Sequence, residues 1–211
     1  MREKRTFIYN LAKVVIPILL KPLFGVRIIG GKMSLPESGR FVVCCNHVSN
    51  LDPLWLMLGQ KRQMHFMAKE ELFKKAFPRF IVGGFGAFAV KRGAADSDAI
   101  NQAFDYLKQE RVLGIFPEGT RSKNGELLPF KAGAAMVAFK ENAPILPAAI
   151  YTKGGKVKPF GKVYVKFGKP ITLEELGMIE GKGKELREAT RRLTEKVSEL
   201  KQQCAEFAEG K

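Results

Sequence analysis

The stretch FVVCCNHVSNLDP, residues 41–53, carries two unlike instructions. Its first five residues are apolar without a break, the pattern of a strand covered on both faces and hence of a sheet with helices on each side. The run then gives way to Asn46, His47 and Asp52, and Pro53 is placed to open a helix at its first turn. A buried strand that ends in polar residues and passes into a helix is a βα unit, and in α/β folds the crevice beyond the strand ends is the usual binding place. A histidine there can be held by a carboxylate that fixes its tautomer and stabilises its protonated form. Asp52 can do this if the loop folds back. It is equally a good N-cap for the helix that follows, so both readings stand.

Working outward, the chain alternates strand-like and helix-like stretches with no linker, low-complexity tract or internal repeat. Candidate strands are VRIIG (26–30), FVVCC (41–45), MHFMA (64–68), GAFAV (86–90), VLGIF (112–116), ILPAAIY (145–151) and KVYVKFG (162–168). Residues 96–111 place Ile100, Ala103, Phe104 and Leu107 on one helical face, with Asp96 or Ser97 available as cap. A last helix over about 184–207 has Leu186, Leu193, Val197, Leu200, Cys204 and Phe207 at three- and four-residue steps. With 211 residues and 45% hydrophobic content, the chain can bury one sizeable core. The expectation is one α/β domain with a mostly parallel or mixed central sheet flanked by helices and an amphipathic helical segment at the N-terminus.

The 36 Lys and Arg against 21 Asp and Glu give a net charge of +15, which favours an anionic partner: a phosphate-bearing substrate, a membrane surface, nucleic acid or an acidic protein. No nucleic-acid motif accompanies the charge. Three cysteines, Cys44, Cys45 and Cys204, supply neither a zinc framework nor a secreted disulfide scaffold, and read as buried thiols of a reducing compartment.

The N-terminal stretch is too short in its apolar part, VVIPILL (14–20), for the ~20 residues that cross a bilayer, and no small-residue cleavage pattern follows. Phe7, Ile8, Leu11, Val14, Val15, Ile18 and Leu19 fall at helical spacing beside Arg2, Lys4, Arg5, Lys13 and Lys21. Such a helix can lie among anionic headgroups, or pack on the core with its lysines in water.

Further runs carry candidate chemistry. In VLGIFPEGTRS (112–122) a strand ends in a turn that can expose amides, and Arg121 offers a fork of donors suited to phosphate; the alternative is a polar turn in which Glu118 and Arg121 pair. GGFGAFAVKRG (83–93) ends a strand in Lys91 and Arg92, and NAPILPAAIY (142–151) sets Pro144 and Pro147 around a strand entrance, where proline is tolerated.

Taken in order, NHVSNLD, GAFAVKR, FPEGTRS and ILPAAI resemble the four motifs of the glycerophospholipid acyltransferase family, its bacterial 1-acylglycerol-3-phosphate acyltransferases in particular, over residues from about 30 to 170. The resemblance implies that His47 is a general base oriented by Asp52, which activates the free hydroxyl of lysophosphatidate to attack an acyl thioester directly and form phosphatidate. No acyl-enzyme is then needed, in keeping with the absence of a G-x-S-x-G elbow. By the same resemblance Arg92, Glu118, Gly119, Thr120 and Arg121 bind the acceptor's glycerol phosphate, and Lys131 in PFKAG (129–133) is a further phosphate candidate.

It implies in addition acyl-CoA or acyl-acyl carrier protein as donor, an anionic membrane surface as partner, no nucleic acid, no metal and no cofactor. The expected place is the cytoplasmic face of the inner or plasma membrane, peripheral or monotopic, with residues 1–30 as membrane-interface segment and 31–211 as acyltransferase domain. Backbone amides near Gly119 or around His47 are the places to look for oxyanion donors. Other readings stay open: an acyltransferase acting on another lysolipid acceptor, a thioester hydrolase in which His47 activates water, and a basic membrane or nucleic-acid binding protein without chemistry.

Overall fold

The structure, a computed structural model, describes residues 7–31, 35–70, 86–90 and 97–210. Among them each expected strand appears: β1 (Gly25–Ile29), β2 (Phe41–Cys45), β3 (Met64–Lys69), β4 (Ala87–Val90), β5 (Val112–Ile115), β6 (Ile145–Tyr151) and β7 (Lys162–Phe167). They form one sheet in the order β1-β7-β6-β2-β5-β3-β4. Every neighbouring pair is parallel except β6 and β7, so the sheet is mixed.

β2 explains why its sequence is apolar throughout. Val42 and Cys44 face one core with Leu113 and Ile145, while Phe41, Val43 and Cys45 face a second core with Trp55 and Leu146. The first core is covered by helices α3 (Ser97–Lys108), α4 (Gly133–Lys140) and α5 (Gly183–Glu209), which bury Ala103, Leu107, Ala138, Leu193 and Val197 there. The second is covered by α2 (Asp52–Gly59) and by the end of α1 (Phe7–Leu23), with Trp55, Leu56 and Phe24 inside. Two cores on opposite faces of a sheet make a three-layer α/β domain. Helix α4 was not anticipated, because its eight residues GAAMVAFK are small and apolar with little periodicity.

Pro147 stands inside β6, a strand with partners on both sides. It is tolerated because the β7 ladder begins only at Ala148, opposite Phe167, leaving the proline where no amide is required on that side.

The topology decides where the loops go. β2, β5 and β6 lie side by side and run the same way, with Cys44 level with Ile115 and with Pro147. The segments that follow these strands therefore emerge together at one edge. β1 and β7 run the opposite way, so their starts, Gly25 beside Lys162, lie at that edge as well. The end of α1 enters there.

Candidate active site

The two parallel neighbours β2 and β5 bring the loops of His47 and Glu118 into contact. The buried Asn46 first extends β2 with its side chain: its amide nitrogen donates to the Ile150 carbonyl at 2.9 Å, and its oxygen accepts the Ile150 amide at 2.8 Å. The Ser122 amide donates to the His47 carbonyl at 2.8 Å, and the His47 amide donates to Glu118 Oε1 at 3.2 Å. The histidine backbone is thus held at both its carbonyl and its amide by the loop that follows β5.

Its ring is held as firmly. His47 Nδ1 lies 2.7 Å from Asp52 Oδ2, and the same oxygen accepts the amides of Val48 at 2.7 Å and Ser49 at 2.8 Å. Asp52 is fully buried. Its carboxylate points back over the loop instead of forward to cap α2, which settles the local geometry between the two sequence readings. Because a carboxylate only accepts, Nδ1 carries the hydrogen and Nε2 keeps a free lone pair. Phe116 stacks on the imidazole with ring centroids 4.1 Å apart and planes 15° from parallel, leaving the side chain 14% exposed. The other histidine, His65, is buried in β3 against the Gly86 carbonyl.

Glu118 is 4% exposed and turned inward. Burial pushes its carboxyl up to about 7, against the lowering effect of the His47 and Leu128 amides. Among the described residues it makes no ion pair with Arg121, so the paired-turn alternative does not hold. Gly119 turns the chain with φ +68°, and a Cβ there would sit 3.1 Å from the Lys131 amine. Glu118, Gly119 and Lys131 therefore meet around one turn.

Thr120 and Arg121 are exposed and line a cleft of about 400 Å³ beside Val48, together with Ser122, Lys123 and Lys156. Its charged walls carry Arg121, Lys123 and Lys156 with no acid among them, a setting for an anion next to the histidine loop. Arg92 lies outside the described residues, as does Lys91. The amides of His47, Val48, Ser49 and Gly119 are engaged, the last with the Phe116 carbonyl at 3.0 Å, and so are not the oxyanion donors in this arrangement.

All three cysteines are buried and unpaired. Burial raises the Cys44 and Cys45 thiols well above their ordinary value, and pushes Cys204 up to about 12, which removes them as nucleophiles. Among the described residues no cluster of side chains has the makings of a metal site. A histidine with a buried carboxylate behind it and a cationic cleft before it can take a proton from a hydroxyl bound through a phosphate.

A family model described as Acyltransferase matches residues 27–151, more than half of the chain. The chain belongs to the acyltransferase family. The acyltransferase is 30% identical over 195 residues to the 1-acyl-sn-glycerol-3-phosphate acyltransferase of Bacillus subtilis, covering 91% of this chain and 96% of that one. It is 32% identical to the human 1-acyl-sn-glycerol-3-phosphate acyltransferase alpha, over 74% of this chain and 59% of the human one. The crystal structure of the 1-acyl-sn-glycerophosphate (LPA) acyltransferase PlsC from Thermotoga maritima superposes with a TM-score of 0.68 at 29% identity. It covers 92% of this chain and 78% of that one.

Several residues of the acyltransferase site escaped sequence reading. Asn46 was legible only as part of the NHVSNLD run, Phe116 only as the end of a strand, and Lys123 and Lys156 were not singled out. Burial lowers the pKa of Lys201 in α5, opposed by the charges of Glu118 and Glu126, so a helix more than eighty residues away in sequence passes near the Glu118 turn. No motif spacing could have found it.

Proposed function

We propose that this acyltransferase moves a fatty acyl group from an acyl thioester to the free hydroxyl of 1-acylglycerol 3-phosphate, giving phosphatidate and a free thiol. The observation that carries the reading is the Asp52 oxygen that holds both the His47 ring and the loop beneath it. His47 Nε2 takes the hydroxyl proton as the oxygen forms its bond to the thioester carbonyl carbon, and Asp52 stabilises the imidazolium. When the tetrahedral intermediate collapses, the carbon–sulfur bond breaks and the imidazolium returns its proton to the leaving thiolate. Phe116 shields one face of the ring from water. Arg121 receives the acceptor phosphate in the cleft, with Lys131 and Arg92 as further candidates. Glu118 holds the His47 amide and thereby joins the base to the phosphate turn. Acyl-CoA and acyl carrier protein both fit as donor.

The substrates are lipids, and α1 supports contact with an anionic membrane. Tyr9 and Lys13 point inward: the tyrosine hydroxyl donates to the Arg62 carbonyl at 2.8 Å, and the lysine amine to the carbonyls of Gln60 and Lys61. The opposite face presents Phe7, Leu11, Val14 and Ile18 at 80%, 51%, 62% and 67% exposure. An ordinary surface helix shows its charges and hides its apolar stripe; α1 turns Lys13 inward and shows an apolar stripe. No helix among the described residues is long and apolar enough to cross a membrane. We therefore assign residues 1–30 as an interfacial segment, peripheral or monotopic, on the cytoplasmic face, with the acyltransferase domain following. A direct test of the acceptor is a monoacylglycerol lacking the phosphate: kcat/KM should fall at least tenfold, and equal turnover would refute a phosphate-reading site.

A further inference from the structure

We infer that the loop between β6 and β7, residues 152–161, is a second membrane anchor, in which Phe160 enters the leaflet beside α1 while its lysines engage anionic headgroups. This rests on the interfacial reading of α1 and adds to it a part of the fold remote in sequence.

Phe160 is 83% exposed and has φ +61°. A bulky side chain is rarely found there, and the conformation persists only where surrounding contacts impose it. Those contacts are present. The Phe160 amide donates to the Leu23 carbonyl at the end of α1 (2.6 Å), and Gly25 donates to the Gly161 carbonyl (3.0 Å). The loop is closed at its base by Thr152 Oγ1 donating to the Lys162 carbonyl at 3.0 Å. The backbone is thus held in a conformation that directs the Phe160 side chain outward.

Position and charge identify what it meets. The outer stripe of α1 repeats at Phe7, Leu11, Val14 and Ile18, and its next step is the exposed Pro22, adjacent to the residue that holds Phe160. The apolar surface therefore continues from the helix onto the loop. Around it, Lys153, Lys156 and Lys158 are exposed, and the sequence from Thr152 to Lys169 contains no acid. An apolar tip ringed by lysines fits an anionic bilayer interface.

The same loop reaches the site. Gly155 packs against Asn124 and Gly125 so closely that neither glycine has room for a Cβ, and Lys156 lines the acceptor cleft with Arg121. One rigid strap thus connects the membrane helix to the phosphate turn and seats the cleft at headgroup level, where a lysophospholipid presents its phosphate.

The test is flotation of the full chain on phosphatidylcholine vesicles containing phosphatidylglycerol. Phe160→Ser should lower partitioning roughly ten- to a hundredfold, the range for one buried aromatic ring. Phe160→Gly should lose as much while Tm stays level or rises, since glycine adopts the positive φ freely. Phe160→Trp should keep binding and be quenched by brominated lipid, over the background of the buried Trp55. Unchanged partitioning in both the Ser and Gly variants overturns the inference. If these bind normally and Leu11→Ser with Ile18→Ser does not, α1 alone is the anchor; if the parent chain does not bind vesicles, the membrane reading itself falls. Normal partitioning of Phe160→Ser with turnover lost only on an acidic carrier-protein donor would assign the loop to the donor instead, and overturn the inference too.

Discussion

Asp52 sits directly behind His47, its Oδ2 at 2.7 Å from Nδ1 and at 2.7 and 2.8 Å from the amides of Val48 and Ser49. One oxygen therefore closes the loop and fixes the tautomer of the ring. Asp52→Asn keeps an acceptor for the amides but loses the charge that stabilises an imidazolium. We expect kcat to fall about 10²–10⁴-fold with Tm lowered by only a few degrees. The reverse, a large loss of Tm with turnover intact, would reduce Asp52 to a loop-closing residue.

Glu118 gives a prediction with a definite sign. Its carboxyl is pushed up from 4.5 to about 7 in the folded protein by burial, so folding favours the protonated form. This group's contribution to stability is most favourable below about pH 4.5, declines as pH rises, and levels off above 7. Glu118→Gln removes the penalty. Its Tm should match the parent at pH 4 and exceed it at pH 8, by roughly 2–4 °C per kcal/mol relieved. A Tm difference independent of pH would contradict the desolvated state of this carboxyl.

Arg121 stands exposed in the cationic cleft beside Val48. Arg121→Ala should raise the acceptor KM roughly tenfold, the scale of one charge-assisted hydrogen bond, and leave the thioester KM unchanged. Steady-state kinetics with each substrate varied in turn decides it; equal effects on both would argue against a phosphate-reading role.

Lys13 separates the inner face of α1 from its outer one. Its amine is bonded to the Gln60 and Lys61 carbonyls. Lys13→Met should thus lower Tm and leave vesicle binding and its salt dependence nearly unaltered. A headgroup lysine would behave oppositely, costing about 1 kcal/mol of binding at an anionic surface.

The sheet was legible because its strands are apolar on both faces, and a strand such as FVVCC admits few other interpretations. Helix α4 was not, because GAAMVAFK is too short and too uniformly apolar to show a period. At the site, His47, Asp52 and the FPEGTRS turn were singled out by their resemblance to family motifs, since their local spacing alone left the helix cap and the paired turn open. The direction of the Asp52 carboxylate could not be read: N-cap and histidine partner are both compatible with H-x-x-x-x-D, and only the path of the loop separates them. Lys13 was expected among headgroups or in water, yet its long stem lets it reach inward to the Gln60 and Lys61 carbonyls, a choice composition does not record. Asn46 and Phe116 make contacts that the sheet order creates, so no local pattern announces them. Arg92 lies outside the described residues.

The most direct test of the account is thiol release from a long-chain acyl thioester, with and without lysophosphatidate, by the intact chain and by His47→Ala, with the lipid product identified by mass. The account predicts release that requires both the acceptor and His47, with phosphatidate as product, and a loss of at least a thousandfold in the variant. Release without acceptor, or substantial phosphatidate formation by His47→Ala, would contradict it.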